Sequence, residues 1–209
     1  MDISRREFYV AAGAVGSVVA NAQTKSPSMK APKPKPGQKT MAGFAAPKLD
    51  KVRCAFIGVG ARGSGHVAQV MMMEGVEIIA ICDTHAPSLK ASVDRVKKAG
   101  RPAPLEFGKN DTDFQKMLDR DDIDAVFIAT PWEWHAPMAI YAMKAGKHAF
   151  VEVPCALTVE EMWAMVDTSE QTRKHCMMME NVCYGREELL VLNMCRQGAF
   201  GELLHGEAA

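Results

Sequence analysis

The chain has 209 residues, of which 48% are hydrophobic and 7% aromatic, with 25 basic and 25 acidic side chains. This length and composition suit one complete α/β domain and a little more. Residues 1–51 contain nine Lys or Arg and three Asp or Glu, a net +6, so the remainder carries −6. The basic excess belongs to a tail, and no basic stripe interleaved with aromatic residues follows it, which argues against a nucleic-acid partner.

The first 22 residues are typical of an export signal. Ser4-Arg5-Arg6-Glu7-Phe8 precedes a run of small and apolar residues from Val10 to Ala20, and Ala20-Asn21-Ala22 resembles a cleavage site. This pattern resembles a twin-arginine signal and predicts a periplasmic or otherwise extracytoplasmic protein. The run is too short to span a bilayer, so no stable membrane insertion is expected after signal removal. A disordered basic start with a chance arginine pair is the alternative.

Residues 23–50 are rich in Lys, Pro and Ala. We expect an extended linker that buries nothing.

The next stretch, from Val52 to Asp83, is the most informative of the chain. It contains an apolar strand, a glycine-rich turn, a helix and a second apolar strand that ends in an acid.

The turn is Gly58-x-Gly60-x-x-Gly63. Gly58 permits a tight turn out of the strand, Gly60 lets the backbone approach a pyrophosphate, and Gly63 lets the helix pack on the strand. The amino terminus of the helix then offers free N–H groups to phosphates. This order predicts a dinucleotide site, with a ligand-free structural turn as the alternative. Asp83 lies 20 residues past Gly63, where a carboxylate accepts a ribose 2′-hydroxyl and repels a 2′-phosphate, so NAD is favoured over NADP.

Strands and helices continue to alternate, which predicts an α/β fold with an open, mostly parallel, doubly wound Rossmann sheet in residues 51–179. Residues 180–209 are predicted to begin a second, α+β substrate domain that is truncated. The expected helices cover residues 87–99, 111–118 (capped by Asn110 or Asp111), 134–145, 159 to about 172 (capped by Thr158) and 184–198, and the expected strands cover 123–130, 147–152, 174–179 and a start at 202–209.

The six cysteines form no Cys-x-x-Cys pair. Neither zinc nor thioredoxin chemistry is therefore indicated, no metal site is predicted, and we expect free thiols.

Unusual residues follow three of the predicted strands. The first group is Thr130-Pro131-Trp132-Glu133-Trp134-His135, the second is Glu152-Val153-Pro154, and the third is Glu180-Asn181 with Tyr184 and Arg186 close behind. Because the carboxyl ends of parallel strands meet at one edge of the sheet, we expect these groups to converge with the glycine turn. Ordinary packing and surface pairing remain the alternative for each residue taken alone.

Thr130-Pro131-x-x-x-His135 and Glu152-x-Pro154 after a Rossmann start resemble the Gfo/Idh/MocA oxidoreductase superfamily. The segments 132–135, 152–154, 180–189 and 201–207 more specifically resemble glycoside hydrolase family 109, the NAD-dependent α-N-acetylgalactosaminidases, over about residues 51–209. The resemblance implies NAD as cofactor and a homo-oligomer as one option for assembly. It implies an NAD site lined by Ala61, Arg62, Asp83, Trp132, Glu133, Trp134, His135, Glu152, Val153 and Asn181.

The resemblance also implies a terminal α-linked N-acetylgalactosamine, or a related hexose, as substrate. The implied route is transient oxidation at C3 of the sugar, elimination across C1 and C2, addition of water and re-reduction. Tyr184 is our candidate for proton handling, and Glu152 for orienting the nicotinamide or ribose end. Sugar dehydrogenases of the superfamily commonly carry Glu-Lys-Pro, and their lysine helps with the hydroxyl proton. Val153 replaces that lysine here, which argues against simple dehydrogenation.

Two alternatives remain at this stage. An exported NAD-dependent sugar dehydrogenase would accumulate NADH, and a non-catalytic NAD-binding or sugar-sensing module would show no turnover. Since further substrate contacts are expected beyond Ala209, we expect the 209-residue chain alone to be inactive and poorly soluble. The exact sugar and the oligomeric state stay open.

Overall fold

The computed structural model describes residues 39–205. The predicted signal, residues 23–38 of the predicted linker and residues 206–209 therefore lie outside the described residues. Within residues 39–205, no helix is long and apolar enough to cross a membrane.

Six strands alternate with helices along the described chain. The strands are β1 (Val52–Ile57), β2 (Val76–Cys82), β3 (Leu105–Phe107), β4 (Ala125–Ile128), β5 (His148–Glu152) and β6 (Cys176–Met179). The α-helices are α1 (Gly63–Met71), α2 (Ala86–Lys98), α3 (Asp113–Leu118), α4 (His135–Lys144), α5 (Val159–Thr172) and α6 (Arg186–Arg196), with a 3₁₀ turn at Trp132–Trp134 before α4.

All strand pairs are parallel, and their order across the sheet is β3-β2-β1-β4-β5-β6. The order reverses between β1 and β4, which opens a crevice above their carboxyl ends. The predicted doubly wound Rossmann sheet is thereby confirmed. The Thr158 cap is also confirmed, because its hydroxyl accepts the Glu161 N–H while the Glu161 carboxylate accepts the Thr158 N–H.

Each face of the sheet carries its own apolar core. On one face α1 and α2 pack through Val67, Val70, Val93 and Val96. On the other face α3, α4 and α5 pack over β1, β4 and β5. The strands bury both faces because they are nearly continuous apolar runs, as expected of parallel strands covered by helices.

The face under α1 and α2 becomes more exposed toward β6. Phe56, Phe127, Phe150 and Met177 stand side by side in register across β1, β4, β5 and β6. The three rings stack at centroid distances of 5.0 and 4.9 Å. Phe56 is 1% exposed and Met177 is 37% exposed. The apolar row thus ends at the surface, at β6. Helix α6, which follows β6 in the chain, has no buried residue.

Four sequence predictions need correction. Helix α3 begins at Asp113 after Thr112 and has no side-chain cap, so neither Asn110 nor Asp111 caps it. Strand β3 has no counterpart among the predicted strands, because it has three residues and follows Arg101-Pro102-Ala103-Pro104. Residues 202–205 form no strand, since no neighbouring strand pairs with them among the described residues. The last part of the linker, residues 39–50, does bury surface: Phe44 is half-buried against the His175 ring, 5.1 Å between centroids.

Candidate dinucleotide site

The glycine turn has the geometry that a nucleotide phosphate requires. Gly58 has φ +77°, and a Cβ there would lie 2.5 Å from the Ala129 carbonyl oxygen. A Cβ at Gly63 would overlap the Gly58 carbonyl. A Cβ at Gly60 would meet nothing within 4 Å, so Gly60 faces open space. Two glycines therefore fit the turn against the sheet, and the third leaves the backbone accessible to a ligand.

Asp83 follows β2 directly and is bound to this turn. One of its carboxylate oxygens accepts the Val59 N–H at 2.7 Å, and the other accepts the His85 N–H at 2.8 Å. These bonds fix the carboxylate beside the glycine turn. The remaining lone pairs of a carboxylate are available to a ribose hydroxyl, and the role of Asp83 toward the ribose stays a prediction.

Glu152, the last residue of β5, is the centre of a polar cluster. Its Oε1 accepts the Arg62 Nε–H at 2.5 Å and lies 2.7 Å from His66 Nε2. Its Oε2 accepts the Val153 N–H at 3.0 Å. A second Arg62 nitrogen donates to the Asn181 side-chain oxygen. Arg62, Glu152 and Asn181, which come from separate parts of the chain, therefore meet at one place, as predicted.

The charge of Glu152 is set by these partners. Burial of the carboxyl favours its neutral form, yet the hydrogen bonds from Arg62, the Val153 N–H and His66 outweigh burial, so the pKa of Glu152 lies below its ordinary value. Glu152 is accordingly an anionic hydrogen-bond acceptor at neutral pH. It can orient a ribose hydroxyl or a carboxamide, and it is a poor proton donor.

The four residues 132–135 fall into two pairs that differ in the exposure of their side chains. Trp132 and Glu133 are exposed, so their side chains are accessible to a ligand. Trp134 packs edge-on against Phe114 at 6.3 Å between ring centroids, and His135 is 1% exposed. The resemblance implied that all four line the cofactor site. The structure turns the side chains of Trp134 and His135 inward.

His135 holds the walls of the site together. Its Nε2 lies 2.8 Å from the Thr130 carbonyl oxygen and its Nδ1 lies 2.7 Å from the Pro154 carbonyl oxygen. Both ring nitrogens are thus occupied by backbone groups that follow β4 and β5. The side chain that was predicted to contact the cofactor instead ties these two segments to each other, because it is enclosed beneath them.

Three predicted residues lie at the surface of this edge. Val153 is 40% exposed, directly after Glu152. Ala61 is exposed in the glycine turn. Tyr184 is 66% exposed in the segment between β6 and α6, and its assignment to proton handling stays a prediction.

Two residues of the site have no counterpart among the sequence predictions. His66 stands three residues after Gly63 on α1, and a polar residue one turn into a phosphate-facing helix was the available signal. Gly108 follows β3 with φ +133°, and a Cβ there would overlap the Asp83 backbone. The Asp83 N–H also donates to the Phe107 carbonyl. Since β3 carries no sequence pattern, its support of Asp83 could not be predicted.

The six cysteines are free, which confirms that prediction. Burial raises the pKa of the Cys54 and Cys82 thiols to about 12, as expected of small buried hydrophobes. No cluster of residues able to hold a metal ion occurs within residues 39–205.

Three features define a dinucleotide-binding Rossmann domain. The strand order of the parallel sheet reverses beside β1, the glycine turn is open at Gly60, and the Asp83 carboxylate is held in place directly after β2. The chain belongs to the Gfo/Idh/MocA oxidoreductase family, whose model, described as an oxidoreductase family with an NAD-binding Rossmann fold, matches residues 52–180. The glycine turn and Asp83 fit NAD, and the prediction of NAD as cofactor is confirmed.

Curated relatives support the narrower resemblance. A protein of Shewanella baltica named glycosyl hydrolase family 109 protein is 61% identical, and one of Shewanella oneidensis named alpha-N-acetylgalactosaminidase is 59% identical. Each match covers 100% of this chain and 46% of the relative. The chain therefore spans about half the length of these relatives, and the predicted resemblance to family 109 is confirmed.

Solved structures share the fold. WlbA dehydrogenase from Bordetella pertussis, in complex with NADH and UDP-GlcNAcA, matches with a TM-score of 0.61 and 26% identity, over 72% of this chain and 43% of that one. Myo-inositol 2-dehydrogenase from Lactobacillus plantarum matches with a TM-score of 0.63 and 26% identity, over 73% and 43%.

Proposed function

We propose that the whole protein is an NAD-dependent glycosidase that acts on terminal α-linked N-acetylgalactosamine or a closely related hexose. A relative at 59% identity is named alpha-N-acetylgalactosaminidase and one at 61% identity is named a glycosyl hydrolase family 109 protein, and both matches run along the entire chain. NAD, when bound, would supply a hydride acceptor that takes up and returns the same hydride, so the overall reaction is redox-neutral.

One observation carries the choice between glycosidase and dehydrogenase. The residue after the anionic Glu152 is Val153, whose side chain is 40% exposed at the surface of the site. Hydride removal from C3 needs a group that takes up the hydroxyl proton in either reaction, so another residue must take it here, and the chain departs from the dehydrogenase pattern at this position. Sugar dehydrogenases that resemble this chain commonly place a lysine there, and an isopropyl group cannot replace it.

The other residues of this edge have distinct tasks under the proposal. Gly58, Gly60 and Gly63 shape the turn for the pyrophosphate, and Asp83 accepts the adenosine ribose hydroxyls. Glu152 stays anionic and orients the ribose or carboxamide at the nicotinamide end. Tyr184, with an exposed phenol on the segment after β6, handles a proton of the sugar.

The test uses the full-length protein, stripped of nucleotide and then reloaded with NAD, and offered an aryl α-N-acetylgalactosaminide. We expect release of the aryl group only after reloading, with no accumulation of NADH. NADH formed in proportion to sugar consumed would establish the dehydrogenase alternative. NAD binding without release of an aryl group from any glycoside would establish the alternative of a non-catalytic NAD-binding module.

Tyr184→Phe is the companion variant. We expect turnover to fall by about 100-fold, since general acid–base groups typically contribute that much or more, while NAD affinity is kept. Unchanged turnover would remove Tyr184 from the mechanism. Phe200→Ala, which alters an exposed ring beyond α6, serves as the surface control.

A further inference from the structure

Two side-chain donors, His66 and Arg62, share one oxygen of Glu152, and they differ in their exposure to solvent. His66 Nε2 and Arg62 Nε both lie within hydrogen-bond distance of Oε1, at 2.7 and 2.5 Å. The His66 side chain is 12% exposed and the Arg62 side chain is 52% exposed, against 9% for Glu152. One donor is therefore enclosed with the carboxylate, and the other approaches from solvent.

The two donors also differ in how firmly they are held. His66 lies within α1, next to Val67, which is 0% exposed under the helix. A short ring on a docked helix has little freedom. Arg62 precedes α1 in the phosphate-facing turn and reaches Glu152 and Asn181 through a long side chain. Its guanidinium can move without moving the backbone.

A guanidinium beside a phosphate-binding turn has a strong alternative partner. Arginine binds phosphate oxygens through paired N–H groups, and such charge-assisted bonds are stronger than those between neutral groups. The pyrophosphate of NAD carries two negative charges and would lie along Gly60, two residues before Arg62. If Arg62 turned to it, Glu152 would lose one of its two side-chain donors.

We propose that His66 is a positioning residue that keeps the Glu152 carboxylate oriented toward the nicotinamide half of NAD while Arg62 exchanges Glu152 and Asn181 for the cofactor phosphates. His66 acts through Glu152 and does not itself touch the cofactor. The inference deepens the proposed function at the same site, and it rests on NAD binding and not on glycoside turnover. A protein that binds NAD but cleaves no glycoside would refute the proposed function and leave this inference open to the same test.

The experiment compares His66→Gln with His66→Asn in the full-length protein. The amide nitrogen of Gln reaches about as far as Nε2, whereas that of Asn stops near the position of Nδ1. We expect His66→Asn to weaken NAD binding about tenfold, the loss that one charge-assisted hydrogen bond accounts for, and His66→Gln to stay within about threefold of the parent. Dissociation constants for NAD are measured by calorimetry.

ADP is the second probe, because it contains the adenosine and pyrophosphate parts but lacks the nicotinamide half. We expect His66→Asn to leave the dissociation constant for ADP unchanged. Equal weakening of ADP and NAD would show that His66 merely supports the fold of α1, and would overturn the proposal.

Coupling to Glu152 completes the test. In a Glu152→Gln background, we expect His66→Asn to change NAD affinity by less than about twofold, because its partner charge is already gone. A full tenfold loss in that background would show that His66 does not act through Glu152. Gln69→Ala, an exposed position on the same helix, is the control and should bind NAD and ADP as the parent does.

Discussion

At the scale of single residues, Asp83 combines a structural and a selective role. Its two oxygens accept N–H groups from Val59 and His85, while its charge faces the place expected for the adenosine ribose. Asparagine removes the charge and keeps one acceptor oxygen, so it can retain one of these two hydrogen bonds and loses the other.

Asp83→Asn should therefore reduce discrimination against NADP. We expect NAD to bind up to about tenfold more weakly and NADP to bind more tightly, since repulsion of the 2′-phosphate is removed. Calorimetric titration with both nucleotides gives the ratio of affinities. Asp94→Asn, at a partly exposed position of α2 where the carboxylate pairs with Lys90, is the control, and an unchanged ratio in Asp83→Asn would show that Asp83 does not set cofactor choice.

His148 makes a residue-scale prediction about pH. Burial, with Lys174 and His175 adding to it, lowers the pKa of His148 from its ordinary 6.5. The unfolded chain therefore takes up this proton first as the pH falls, so the free energy of unfolding should decrease from about pH 6.5 down to the folded-state pKa and be unaffected above it.

The measurement is urea unfolding at a series of pH values between about 7 and 5, the range over which histidine ordinarily titrates. His148→Asn retains an acceptor for the His175 N–H, which His148 Nδ1 accepts at 2.9 Å, but cannot titrate. It should show a smaller decrease than the parent. A decrease of the same size in His148→Asn would assign the effect to other groups.

At the scale of elements, residues 39–44 form an unexpected attachment at the amino ends of β5 and β6. The Arg173 guanidinium lies 4.5 Å from the centre of the Phe44 ring. Its Nη1 also donates to the carbonyls of Lys39 and Thr40, at 3.2 and 2.9 Å. This attachment lies at the edge of the sheet opposite the dinucleotide site.

Phe44→Ala should lower the free energy of unfolding by about 1 kcal/mol, the size of an exposed cation–π contact with some ring burial. NAD affinity should not change, because the dinucleotide site is at the other edge. Chemical denaturation and NAD titration of the same preparation provide the two readouts. A loss of NAD affinity without a loss of stability would contradict this separation. Phe200→Ala is the matched control on an exposed ring.

Elements with a strong local pattern can be predicted well from the sequence. The uninterrupted apolar run of β4, the capping pattern at Thr158 and the glycine turn each determine local structure by themselves. Strand β3 could not be predicted in this way, because three residues after two prolines carry no periodicity and become a strand only by pairing with β2. The attachment of Phe44 depends on Arg173 and His175, which are so distant in the sequence that no local pattern reveals it.

The candidate site could likewise be predicted only in part. Convergence of Arg62, Glu152 and Asn181 followed from strand order, because parallel strands bring their carboxyl ends together. The direction of each side chain did not follow. Trp132 and Trp134 stand two residues apart, yet one is exposed and the other packs on Phe114, and that difference depends on the 3₁₀ turn that contains them.

At the scale of the whole molecule, we propose that the protein is exported in the folded state through its Arg5-Arg6 pair. The double substitution Arg5→Lys with Arg6→Lys should keep the precursor in the cytoplasm, because the twin-arginine route reads that pair. Fractionation of cells and immunoblotting show where the protein accumulates. Arg196→Lys, an exposed position at the end of α6, controls for expression. Unimpaired export of the double variant would refute this route.

The central claim concerns the chemistry of the whole protein, and hydrogen isotopes test it most directly. The full-length protein with NAD is offered an aryl α-N-acetylgalactosaminide in D₂O, and the released sugar is analysed by NMR and mass spectrometry. We predict deuterium at C2 of the sugar with no accumulation of NADH, because elimination across C1 and C2 exchanges the C2 proton with solvent. Release of unlabelled sugar would contradict this route and indicate ordinary hydrolysis.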